Sequence, residues 1–390
     1  MLEFDPFSEA HLSDPLALYR RLRDEAPVYY SEKYDCFFLS RFQDVHESCR
    51  NKVMSHRRGT TPGELLLGHP VYGRSLARLV PPEHTHLRAA LNPAFLPGKA
   101  RAMESVVRAM ANRLLDAAGG RLDAKDFAQR IAAEVTFHIL GLPAEEALWA
   151  SDQVVKAARR VPGVTGMTPE GVKATDDLKA YLMRTAEARR ARPQGHGLIE
   201  TILGFEYEGR RMPDEEVLDN LYLMVVGGTE TVPRTFAGMV YQLWQLPEQR
   251  AAVVAEPELA QDAFWEAVRF DMPTLMLGAW AEEDTEMAGG VPLKKHQKVM
   301  HLWASANRDD REFTDPDRFD LFRRAPRIVS FNPGRHICLG IHVAQMEGRI
   351  MLQELLARSP HYEVDEAGAV RERSEFFRGF LRLPLTLESK

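Results

Sequence analysis

The sequence predicts a mainly α-helical chain with a minor β region, and three observations carry that reading. Helical patterns dominate residues 82–247, interrupted only by short breaks rich in Gly and Pro. The stretch 214–245 is the longest helical candidate, about 48 Å at 1.5 Å per residue, enough to cross a whole domain. The last third changes character: from Pro273 to about Leu302, short apolar runs between Pro and Gly predict a small sheet. In chain order, Asp14 is placed to cap a helix that has Pro15 at its first position and Leu16, Leu18, Tyr19 and Leu22 on one stripe, ended by Pro27. Residues 28–30 and 37–39 read as strands. Residues 54–80, rich in Gly, Pro and Leu without a period, read as a long surface loop of the kind that carries function. Residues 221–226 are apolar on all sides, which predicts burial. Residues 258–270 form a helix, 306–324 an ordered meander, and 341–358 a clean helix followed by alternating strands to Leu387.

Length alone favours two or three domains, at roughly 150 residues each, yet no linker-like segment and no internal repeat divides the 390 residues. With 45% apolar and 27% charged residues, the composition excludes a disordered, collagen-like or coiled-coil chain. Fifty Lys and Arg against 56 Asp and Glu leave a net charge of −6, which is no footprint for nucleic acid. Three cysteines, Cys36, Cys49 and Cys338, are too few for a disulfide scaffold and fit a reducing compartment. The first residues lack a basic and an apolar region, and no apolar stretch reaches the 18 or so residues of a membrane span. A cytosolic location is the expectation.

The stretch Phe331-Asn332-Pro333-Gly334-Arg335-His336-Ile337-Cys338-Leu339-Gly340 is turn-rich and sets a cysteine just before a helix. Outward-pointing amides and the helix dipole favour thiolate there, suited to a soft metal or to a nucleophile. Gly334 and Gly340 let the backbone approach closely. Cys36 and Cys49 read as small buried hydrophobes. Inside the long helix, Gly227-Gly228-Thr229-Glu230-Thr231-Val232-Pro233 is costly, and Pro233 removes the donor for the Thr229 carbonyl, so a kink is expected. An acid followed by an alcohol in such a gap suggests a proton relay, with a packing kink as the alternative reading. Glu266 and Arg269 share a helix face at i, i+3, a spacing common in surface ion pairs. His84 and Arg88 lie i, i+4 and can reach one anion, or form a solvated basic face.

The pattern F-x-x-G-x-H-x-C-x-G resembles the haem-binding signature of the soluble bacterial cytochrome P-450 family. Its five fixed positions would coincide by chance in about one chain in 10⁴ to 10⁵ of this length. The glycine-rich stretch resembles that family's oxygen-binding helix, with Glu230 and Thr231 at the acid–alcohol pair. Glu266 and Arg269 match its E-x-x-R pair, and Asp315-Pro316-Asp317-Arg318-Phe319 resembles the meander that supplies a second arginine. The implied structural trio is Glu266, Arg269 and Arg318. Two departures stand out. Asn332 occupies a position where the family usually has glycine, and Ala279 aligns with an arginine that completes a clamp on the haem propionates.

The matches run from about Asp14 to about Leu387, so the resemblance implies one cytochrome P-450 domain over 1–390. That fold is a triangular prism with haem between the long central helix and the helix after the cysteine loop. Implied contacts to haem b (iron protoporphyrin IX) come from His84, Arg88, Gly228, Phe331, Gly334, His336, Cys338 and Gly340, with Cys338 as axial thiolate. The implied activity is a monooxygenase that uses O2 and two electrons to hydroxylate a C–H bond of an apolar terpenoid, aromatic or polyketide-like molecule. Glu230 and Thr231 would manage the protons. Peroxide-driven oxygenation or oxidative coupling on the same cofactor is the alternative, and a non-catalytic haem sensor a remote one. By family position the pocket takes Leu66, Met224, Val225, Leu275, Met276, Phe376 and Phe377, each of which also reads as ordinary core. Residues 160–170 would form a lid. Electrons would come from NAD(P)H through a ferredoxin reductase and a ferredoxin docked on a basic face that includes Arg101, Arg108, Arg113 and Arg335. Neither a nucleic acid nor a membrane is an expected partner.

Overall fold

The computed structural model describes residues 2–69, 71, 73–161 and 166–388. Helix α1 (Pro15–Glu25) starts where Asp14 accepts from the Leu16 amide, and it buries Tyr19 and Leu22 completely. Strands β1 (Val28–Ser31) and β2 (Cys36–Leu39) pair antiparallel, and α2 (Phe42–Arg50) follows. The expected loop 54–80 is more regular than its composition suggests. It opens with β3 (Met54–Ser55) and holds the short helix α3 (Pro62–Leu66), begun by a reciprocal Thr61–Glu64 capping box.

The helical middle contains α4 (Glu83–Leu91), α5 (Glu104–Ala117) and α6 (Ala124–Leu140), the last capped by Asp123 and stopped by Gly141 at φ 74°. The long candidate is two helices, α7 (Asp214–Thr229) and α8 (Thr231–Gln245), broken at Glu230. Helix α9 (Leu259–Phe270) precedes β4 (Leu277–Ala281) and β5 (Lys298–His301). No helix or strand occurs between 307 and 340, and α10 (Ile341–Arg358) matches its expected limits. A mainly α chain with a minor β part is what forms. No helix among the described residues is long and apolar enough to cross a membrane.

The residues gather into two compact units, each drawn from three chain segments. The first comprises Met1–Tyr72, Trp265–Cys338 and Glu372–Gly379. Its sheet has the order β1-β2-β5-β4-β3, antiparallel except for the parallel pair β2–β5. Phe4, Tyr19, Phe38, Phe42, Met300 and Trp303 belong to the apolar core around that sheet. The second comprises Gly73–Phe264, Leu339–Arg371 and Phe380–Lys390. There α6 packs on α7 and α8, and α10 packs on α5 and α8, around Leu87, Phe137, Leu221 and Val225.

Candidate active site

In the first unit, the cysteine loop owes its shape to two unusual backbone positions. Asn332 takes φ 56°, the left-handed region, and its Oδ1 accepts from the Gly334 amide at 3.0 Å. Asparagine tolerates that conformation better than other side chains, so it serves where the family usually has glycine. A Cβ at 334 would overlap the carbonyl oxygen of Cys49 and stand 2.8 Å from its carbon, so only glycine fits. The Cys338 amide donates to the Phe331 carbonyl at 2.8 Å and the Ile337 amide to that of Gly334 at 3.1 Å. These bonds fold the loop back on itself, with Cys338 exposed at its end and outside any disulfide. Gly340, the N-cap of α10, has open space where a side chain would begin. Burial pushes the Cys36 and Cys49 thiols up to about 12, away from the reactive thiolate, with Cys36 buried and Cys49 half-buried by exposure.

Residues 265–270 of α9 brace this loop from within the same unit. Arg269 donates to both carboxylate oxygens of Glu266, at 2.8 and 2.7 Å, and both side chains are buried. Its guanidinium also donates to the carbonyls of Asn307 at 2.8 Å, Pro316 at 3.0 Å and Arg318 at 3.3 Å. Asn307 in turn donates to Ser330 at 2.7 Å and accepts from the Val329 amide at 3.1 Å. Ser330 donates to the Val268 carbonyl at 3.0 Å, and the Phe331 ring meets Trp265 edge to face, centroids 5.4 Å apart. The structure corrects the trio. The second arginine on Glu266 is Arg323, whose Nε donates to Oε1 at 3.1 Å, whereas the Arg318 side chain is exposed and only its carbonyl takes part. Local spacing singles out neither Arg323 nor Asn307.

In the second unit the expected kink is real. The helix breaks at Glu230, and Pro233 sits in the first turn of α8, where its missing amide is tolerated. Glu230 and Arg234, both buried, form an ion pair one turn apart, and Arg234 also donates to the Glu230 carbonyl at 2.8 Å. Arg234 was missed, although i, i+4 spacing from an acid is a readable signal. Glu230 Oε1 is buried and has no hydrogen-bond partner among the described residues. Residues 221–226 are less buried than expected: Leu221 and Val225 are core, but Tyr222, Leu223, Met224 and Val226 stay partly accessible. Met224, Gly227, Gly228 and Thr231 fall at helical spacing on one stripe, where Gly227 is exposed and the others are half-buried. Gly228 has a packing role. A Cβ there would overlap Thr136 Oγ1 of α6 and lie 3.0 Å from its Cγ2, whereas Gly227 faces open space.

His84 is buried on α4 and Arg88 half-buried one turn later, as their spacing requires. In the first unit, His336 lies against the ring of His56, centroids 4.4 Å apart. Ala279 is wholly buried in β4, a strand of Leu, Gly, Ala, Trp and Ala that carries no charge. Leu66, Leu275 and Met276 belong to the apolar core of their unit, and Val225 to that of the other, so core packing accounts for them. Phe376 is half-buried, and the turn it shares with Phe377 docks through Leu275 N to Phe376 O at 2.8 Å. Of the expected lid, residues 162–165 lie outside the described residues. Arg108 is ion-paired to Glu354 and Arg113 donates to Glu134 at 2.6 Å, so those charges are already answered. Arg335 donates to the Lys52 carbonyl at 2.6 Å, and Arg101 is exposed.

No group of three or more His, Cys, Asp or Glu that could hold a metal ion occurs among the described residues. A metal on Cys338 would therefore bring its other donors with it, as a porphyrin does. An exposed thiol at a helix N-terminus, beside a bare glycine with room in front of it, fits that group. Comparison with known proteins agrees. The cytochrome P450 family model matches residues 164–389. The putative cytochrome P450 123 of Mycobacterium tuberculosis is 31% identical over 100% of this chain and 98% of its own length. The chain belongs to the cytochrome P450 family. Among solved structures it is similar to a mutant of P450 EryK in complex with erythromycin B, at 26% identity and TM-score 0.87, covering 97% of this chain and 98% of that one. It is similar also to CYP109E1 of Bacillus megaterium in complex with testosterone, at 26% identity and TM-score 0.86, covering 98% and 100%. P450 membership makes this chain a haem-thiolate oxidoreductase of the monooxygenase kind.

Proposed function

We propose that this P450 uses haem b, O2 and two electrons from a cytosolic ferredoxin system to hydroxylate a C–H bond of an apolar terpenoid, aromatic or polyketide-like molecule. The observation that carries the reading is Cys338, exposed at the end of a loop pinned at Asn332, Gly334 and Phe331. Haem, when bound, supplies dioxygen activation, which thiolate donation favours. Cys338 would supply the thiolate that holds it, and His84, Arg88 and His336 would answer its propionates.

The remaining tasks fall to this chain's own side chains. Arg234 clamps one oxygen of Glu230, and the buried Oε1 is left to accept from a water. The Thr231 hydroxyl, on the accessible stripe, can both donate and accept, so it can hold that water and pass its proton on. Met224 on the same face presents apolar surface to a substrate. The ligands bound to EryK and CYP109E1, erythromycin B and testosterone, support a bulky apolar substrate class. Exposed Arg101 supports docking of an acidic electron carrier.

The deciding experiment is the spectrum of the reduced, carbon-monoxide-treated protein. The parent should give the red-displaced band of a thiolate-bound haem, and Cys338→Ser should lose it. The same band in both would overturn the assignment.

A further inference from the structure

The buried, uncharged Ala279 raises the question of what answers a haem carboxylate on that side of the first unit. Strand β3 pairs antiparallel with β4, Met54 opposite Ala281 and Ser55 opposite Trp280. His56 is the next residue, where the pairing ends and a turn begins, its carbonyl accepting from the Gly59 amide at 3.1 Å.

The segment before His56 also tracks the cysteine loop residue by residue. The Cys49 carbonyl fills the space that a Cβ at Gly334 would need. The Lys52 carbonyl accepts from Arg335 at 2.6 Å. The His56 ring lies on that of His336 with planes 33° apart. A third imidazole, His301 on β5, is already engaged by Ser48 at 2.9 Å and is wholly buried. His56 and His336 are both half-buried.

We propose that His56 is a propionate-holding residue: with His336 it grips a haem carboxylate, in place of the arginine that Ala279 does not supply. Two adjacent imidazoles offer N–H donors to the two oxygens of one carboxylate, and each such bond to a charged group is among the stronger ones a protein makes. The assignment rests on the haem-thiolate reading given above.

The test times the transfer of haem from the ferric holoprotein to excess apomyoglobin. It compares the parent with His56→Phe, which keeps a ring but no donor, and His56→Gln, which keeps a donor but no aromatic ring. The parent and His56→Phe are also measured after reconstitution with haem dimethyl ester, whose carboxylates are blocked. Loss of one charge-assisted hydrogen bond should speed release from His56→Phe about tenfold, with His56→Gln staying close to the parent. With the ester, the parent and His56→Phe should release at equal rates.

If His56→Phe holds haem as well as the parent, or better than His56→Gln, the residue only props His336 and the proposal fails. A tenfold difference that persists with the ester overturns it equally. Should the parent take up no haem and show no thiolate band, the underlying reading fails instead, so the two failures are distinguishable.

Discussion

Replacing Arg323 and Arg318 separately by alanine measures which of them completes the brace behind the cysteine loop. The Arg323 side chain is 10% exposed and Glu266 only 3%. Arg323 gives Glu266 its second guanidinium and donates to the carbonyls of Thr314, Asp315 and Arg318. Removing it strips one charge-assisted hydrogen bond from a buried carboxylate and leaves those carbonyls short of a donor, a cost of about 3 kcal/mol. Arg318 contributes through its carbonyl, which alanine also has, and its exposed side chain predicts a change within about 0.5 kcal/mol. Unfolding 390 residues carries an entropy of about 0.8 kcal/mol/K, so Arg323→Ala should lower the melting temperature by about 4 °C and Arg318→Ala by under 1 °C. Melts followed by circular dichroism at two or more scan rates guard against irreversible loss. If Arg318→Ala melts as low as Arg323→Ala or lower, the correction to the trio is wrong.

Three further outcomes follow from other parts of the molecule. Gly334→Ala should destabilise the fold by over 2 kcal/mol and lower haem loading, because its Cβ would overlap the Cys49 carbonyl, whereas Gly340→Ala should stay within about 1 kcal/mol on melting. Burial pushes the Glu347 carboxyl of α10 up to about 8. Between about pH 4.5 and 8 the native state therefore holds a proton that the unfolded chain has lost, and stability falls as pH rises through that window, by about 5 kcal/mol at most. Glu347→Gln should remove that fall, and parallel melting-against-pH curves for parent and variant would refute it. Thr231→Ala should separate NAD(P)H consumption from product formation, measured as product per reductant with a turned-over substrate, and unchanged coupling would remove Thr231 from the proton path.

The parts of the fold that the sequence predicts well are those whose causes are local. Asp14 with Pro15 starts α1, and Gly340 followed by an unbroken helical run starts α10. The break at Glu230 follows from one proline three residues on. Helix α3 shows the same rule from the other side. Its Thr61–Glu64 box is as local as any cap, but in a stretch so rich in Gly and Pro it was outweighed by composition.

The site divides differently, because side-chain chemistry is legible while the partner of a side chain is not. Glu266 and Arg269 share a helix and could be paired by counting, but Arg323 reaches Glu266 across 57 residues of irregular chain that has no period to count. Arg234 needs no such reach, because it lies one helical turn from Glu230 at i, i+4. Gly228 matched a cofactor helix by sequence, yet the space it leaves is taken by Thr136, 92 positions earlier in the chain. The missing charge at Ala279 reads in sequence as a plain deficit. The pairing of β3 with β4 ends at Ser55 opposite Trp280, so the next residue, His56, comes near that strand from more than 200 residues away in sequence. A substituted binding residue is therefore best sought among the residues that strand pairing brings near the gap, rather than among its neighbours in sequence.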